Sequence, residues 1–113
     1  MKQVDSVSVN ELQSMSDKMF GNIVKAVVDI DKRLMVIDAE MHVDEEQYLL
    51  EHGSLQNSLW GINLHPANYG QDNFIEFDSM INIRPRQQNM SRNVENPEVQ
   101  NQIIDIVKGI VIR

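Results

Sequence analysis

The chain has 113 residues, 42% of them hydrophobic, with a net charge of −7 and no cysteine. That length supports one domain, residues 1–113, around one core. The acidic balance disfavours nucleic acid as a partner and the missing cysteines exclude a disulfide framework. The longest apolar runs, 23–30 and 103–112, are each broken by a lysine and fall short of the roughly 20 residues a membrane span requires.

Residues 2–6 read as either a short fifth strand at a sheet edge or a frayed tail. Ser8 and Glu11 stand at the two ends of a capping box, with Val7 and Leu12 placed for a hydrophobic staple, so a helix begins there. Leu12, Met15 and Met19 share one face of it, and Gly21 supplies the left-handed stop. From Ile23 the apolar period changes to two: Val24, Ala26, Val28 and Ile30 share a face, and a turn at Asp31 and Lys32 leads into a second strand from Leu34 to His42. Setting Val28 against Met35, Ala26 against Ile37 and Val24 against Ala39 keeps apolar opposite apolar, and places Lys25 opposite Asp38 on the other face.

Asp44 is placed to cap a short acidic helix with Leu49 and Leu50 inward and Gly53 at its end. A third strand runs from Leu59 to His65, with Trp60, Ile62 and Leu64 on its apolar side. After the turn-rich residues 66–73, a fourth strand runs from Phe74 to Arg84, with Ile75, Phe77, Ser79, Ile81 and Ile83 on one side and Glu76, Asp78, Met80, Asn82 and Arg84 on the other. Asn96, Pro97 and Glu98 open a last helix whose stripe is Val99, Ile103, Ile106, Val107 and Ile110, widened by Ile104, Val111 and Ile112. The fold expected is α+β: a mainly antiparallel four-stranded sheet, with the N- and C-terminal helices on one face and a short helix between strands 2 and 3.

Several stretches, 42–46, 49–54, 59–64, 75–85 and Asn89 to Arg92 with Val94, resemble a family of small bacterial proteins classified only as a domain of unknown function. The similarity spans nearly all of the chain from Met19 onward. It implies a stand-alone bacterial protein and transfers no catalytic residue.

Projecting the strands onto the sheet puts Lys25, Asp29, Asp38, Glu40, His42, Asn63, His65, Glu76, Asp78, Asn82 and Arg84 on one polar face. A solvent-exposed sheet face is polar by default, yet Asp, Asn and Glu are poor strand formers, so their choice here hints at function. Glu40 and His42, two apart on a strand, pair a carboxylate with an imidazole, the elements of an oriented base. With Asp44 just beyond, the same pair could also bind a divalent metal. Without an HExxH pattern or cysteine, and with His65 the one other imidazole on that face, that signal is weak and no metal or cofactor is expected. Arg84, Arg86 and Arg92, interleaved with Asn89 and other polar residues, form a basic island able to hold phosphate or carboxylate groups. It contains no glycine and so is not a P-loop.

The favoured function is a non-enzymatic interaction or regulatory module in the cytoplasm, joining a protein partner or a second copy as a homodimer. Its binding residues are Asn63, Asp78, Asn82, Arg84, Arg86, Asn89 and Arg92. The alternative is a small hydrolase or nuclease acting on a phosphate-bearing substrate, with His42 as base, Glu40 or Asp78 as orienter or metal ligand, and Arg84 and Arg92 holding the anion. Convergence of His42, Asp78 and Arg84 on one open concavity would favour the enzyme reading, and arginines fully paired to internal acids would count against it.

Overall fold

A computed structural model describes residues 1–113. Ser8 opens helix α1 (Val9–Lys18) with both halves of the capping box formed: its hydroxyl accepts from the Glu11 amide at 3.1 Å, and the Glu11 carboxylate accepts from the Ser8 amide at 3.1 Å. Val7 and Leu12 are both buried, as the staple requires. Strands β3 (Val24–Asp29) and β4 (Leu34–Ile37) form the expected hairpin, with Val28 opposite Met35 and Ala26 opposite Ile37. The turn is tied by the buried Asp29, whose carboxylate accepts from the amides of Asp31 and Lys32 and from the Ser54 hydroxyl.

Five strands make one antiparallel sheet in the order β1–β4–β3–β5–β6, where β1 is Lys2–Val4, β5 is Leu59–Leu64 and β6 is Ile75–Glu76. The N-terminal segment is thus a true edge strand, paired with β4. A separate parallel pair joins β2 (Val7–Ser8) to β7 (Val111–Ile112). Helix α3 (Pro97–Ile110) starts as expected, with the Asn96 side chain accepting from the Glu98 amide at 2.9 Å. It stops earlier than its apolar stripe suggested: Val111 and Ile112 leave the helix to pair with β2, an outcome that suits a β-branched run.

The main core, which includes Leu12, Ala26, Val28, Ile37, Ile62, Ile103 and Val107, lies between one face of the sheet and helices α1 and α3. Helix α2 (His42–Glu51) packs on the opposite face, where Leu49 meets Val27, Val36 and Leu59. The face that read as polar and solvent-exposed is therefore largely covered, and all six residues of β5 are buried. Val27, the apolar exception among the polar positions of β3, was the sign of this second layer.

Three local expectations are corrected. β4 ends at Ile37 and Asp38 turns out of the sheet with φ of 70°, so Lys25 has no partner on that side and Glu40 and His42 are not neighbours on a strand. Helix α2 begins at His42, with Met41 at the cap position and no side-chain cap, so Asp44 lies inside its first turn. The strand expected from Phe74 to Arg84 lasts two residues and gives way to a 3₁₀ turn at Met80–Asn82.

The early end of β6 has a visible cause. Ser79 packs where β5 carries Gly61: a Cβ on that glycine would lie 2.5 Å from both the Ser79 Cβ and its hydroxyl. The Ser79 amide donates to the Arg92 carbonyl instead of to β5. Asn82 then takes the place of a strand. Its side-chain oxygen accepts from the Gly61 amide at 2.8 Å and its amide nitrogen donates to the Gly61 carbonyl at 2.9 Å, closing the sheet edge where the backbone has left it.

Candidate functional site

Sequence reasoning grouped nine residues, and the fold divides them. Asn82 and Asn89 are buried and committed to backbone. Asn82 closes the edge of β5 and donates to the Arg92 carbonyl; Asn89 donates to the carbonyls of Asn82, Ser91 and Asn93 and accepts from the Glu95 amide. The basic loop is therefore shaped by two asparagines rather than by its arginines. Arg84 is half-buried, stacked 4.0 Å over the Trp60 ring, and donates to the carbonyls of Gln56 and Leu59. Burial lowers its pKa, partly offset by the nearby Glu46. Arg84 thus serves the fold, and Arg86 lies exposed and apart from it.

His42, Asn63, Asp78 and Arg92 do come together, around a cleft of about 160 Å³ that is also lined by Lys25, Met41, Val43 and Met80. Lys25 and Asn63 are cross-strand neighbours on β3 and β5, which places them side by side. His42 enters from the first turn of α2, and Asp78 and Arg92 come from the two ends of the loop, joined by a hydrogen bond of 2.6 Å from the Arg92 Nε. Glu40 is exposed and does not line the cleft.

The tautomer of His42 follows from its surroundings. Its Nε2 lies 2.7 Å from the Ile62 carbonyl, an acceptor only, so Nε2 carries the proton and Nδ1 keeps the lone pair. Burial lowers its pKa; the Ile62 carbonyl and Asp78 oppose that shift, while Lys25 and Arg92 reinforce it. At neutral pH the ring is uncharged. Asn63 donates to Glu76 at 2.9 Å and to the Asp78 carbonyl at 3.3 Å, while its own side-chain oxygen has no partner. The outer guanidinium nitrogens of Arg92 and the Lys25 ammonium have no carboxylate bonded to them; Lys25 lies 5.0 Å from the Phe20 ring. No three His, Asp or Glu side chains are grouped to hold a metal ion.

The contribution of α2 to this region was harder to read in advance. Its buried residues are His42, Glu45, Glu46 and Leu49, so two carboxyls face inward where leucines would be ordinary. Glu45 is fully buried and neither oxygen has a well-formed hydrogen bond; burial, opposed by the nearby Ala39 backbone, pushes its pKa up to about 10, so it is a neutral acid. Burial raises Glu46 as well, against the pull of Arg84 and a hydrogen bond from Gln56. The spacing of these positions, i, i+3, i+4 and i+7 from His42, was the one signal available in the sequence.

No curated protein and no solved structure matches the chain. A family model does match, over residues 3–110, and its description is protein of unknown function (DUF5674); covering nearly the whole chain, that match means the chain belongs to this family.

Proposed function

We propose that the protein is an interaction module whose cleft beside α2 takes a carboxylate of a partner protein. One observation carries this reading. Lys25 and the outer nitrogens of Arg92 line a small cavity with no acid bonded to them, while Met41, Val43 and Met80, 55%, 48% and 65% exposed, stand around its mouth. Free donors inside an apolar rim are what a carboxylate flanked by apolar side chains would meet. Lys25, Arg92 and Asp78 together carry one net positive charge, which suits a carboxylate monoanion better than a phosphomonoester dianion.

The test is a titration of the ¹⁵N-labelled protein with the peptide acetyl-Met-Glu-Leu-amide, against the same peptide with glutamine in place of glutamate. Saturable shifts at Lys25, Asn63 and Arg92 with the glutamate peptide alone, lost in Arg92→Gln, support the reading. Equal response to both peptides, or none, overturns it. Size measurement of the free protein in solution shows whether a second copy occupies the cleft instead.

A second reading, hydrolysis of a phosphate-bearing substrate, is favoured by the neutral His42 with its lone pair on Nδ1 beside Arg92. Turnover of bis(p-nitrophenyl) phosphate that disappears in His42→Ala, with the fold intact, would support it. Turnover unchanged by that substitution would exclude His42 as the base.

A further inference from the structure

A second and larger cavity, about 540 Å³, opens where the main core reaches the surface beside β6, between residues 69–77 and the last turns of α3. Its volume falls in the range of small-molecule sites. The chain has six aromatic residues, and three of them, Tyr69, Phe74 and Phe77, line this one cavity. Tyr69 and Phe74 meet edge to face, with centroids 5.2 Å apart and planes at 85°, forming a corner of two ring surfaces. Ile104 and Val107 of α3 close the apolar wall.

The charge at its rim is the second observation. Lys108 lines the cavity from α3, and the Arg113 guanidinium sits 5.3 Å over the Tyr69 ring. Neither is bridged to a carboxylate, although the chain has 17 acidic residues against 10 basic ones. Asp72 is the one acid in the lining, and it makes no ion pair with Lys108. An apolar, ring-lined cavity with an unpaired ammonium at its edge fits a ligand with an apolar ring at one end and a negative charge at the other.

We propose that this cavity is a binding site for a small aromatic carboxylate, its ring against Tyr69, Phe74 and Phe77 and its carboxylate toward Lys108. The site lies away from the cleft beside α2 and does not depend on the reading given to that cleft.

Titration of the intact ¹⁵N-labelled chain with 3-phenylpropionate tests the proposal, with 3-phenylpropionamide as the uncharged counterpart. Saturable shifts should cluster at residues 69–77 and 104–111, with the acid binding about fivefold more tightly than the amide, the scale of one exposed ion pair. Lys108→Gln should bring the acid down to the level of the amide and leave the melting temperature unchanged. Equal binding of acid and amide to the unsubstituted chain, no effect of Lys108→Gln, shifts that map instead to Lys25 and Arg92, or no saturable shift at all would each overturn the proposal.

Discussion

Against one face of the sheet, α1 and α3 press leucine, isoleucine and valine into a core that includes no charged side chain. Against the other, α2 and residues 78–95 bury Asp29, His42, Glu45, Glu46, Asn63, Asn82 and Asn89 around a small apolar cluster of four residues. The first face follows the ordinary rule that apolar area is removed from water. The second is held by directed hydrogen bonds, and it tolerates two buried carboxyls, of which three oxygens, both of Glu45 and one of Glu46, lack a partner. A layer meant only to stabilise would have little reason to keep them, since a buried polar group without a partner costs more than it returns. The candidate cleft lies on this second face.

The sharpest way to break the comparison is to remove the hydrogen-bond chemistry of the second face. Asn82→Ala strips partners from the Gly61 amide and carbonyl and removes one of the two donors to the Arg92 carbonyl, and should cost about 4 kcal/mol, or roughly 15 °C in melting temperature. That is more than a large-to-small change such as Ile62→Ala on the apolar face, which should cost about 3 kcal/mol. A loss below about 1 kcal/mol for Asn82→Ala, measured by urea unfolding, would show that the edge of β5 is satisfied by other means.

Glu45→Gln should act in the opposite direction. Between its ordinary value of 4.5 and about 10, the folded chain holds a proton at Glu45 that the unfolded chain gives up, so this group makes stability fall as pH rises through that window. Replacing it should therefore stabilise the protein by about 3 kcal/mol at pH 7, with the gain shrinking to nothing near pH 4.5. His42 slopes the other way: with its pKa lowered, its contribution is present above about 6.5 and is lost as the pH falls below that value. Melting curves of the unsubstituted protein and of Glu45→Gln across pH 4.5 to 9 test both signs, and a pH-independent difference would refute the neutral acid.

Arg84→Ala should cost about 2 kcal/mol, because it removes two hydrogen bonds to carbonyls and the stack on Trp60. The smallest effects belong to the exposed arginines. Arg92→Ala, losing a pair whose side chains are 54% and 41% exposed, and Arg86→Ala should each change stability by less than about 1 kcal/mol. If Arg92→Ala proved as damaging as Arg84→Ala, Arg92 would belong to the framework and not to a site.

Much of the apolar face was legible residue by residue. The capping box at Ser8, the register of Val28 with Met35 and the start of α3 at Asn96 each follow from interactions within a few positions or across one hairpin. The candidate cleft was legible in part, since His42, Asn63, Asp78 and Arg92 were named and do converge, whereas Glu40, Asn82, Arg84, Arg86 and Asn89 do not join them. Lys25, Met41 and Val43 were missed as site residues because their relation to Asn63 and Arg92 exists only after β3, β5 and the loop have been assembled.

By itself, then, the sequence determined the α+β class, the starts of α1 and α3 and the hairpin register, because capping and alternation are short-range physics. The tertiary structure alone decided that Asn82 would replace a strand, that α2 would cover the polar face, and that two carboxyls would be buried there. Each depends on contacts between distant segments: Ser79 fitting against a glycine 18 positions earlier, or a helix lying across strands on both sides of it. Periodicity reports which side of an element differs from the other, and only packing says what that side will meet.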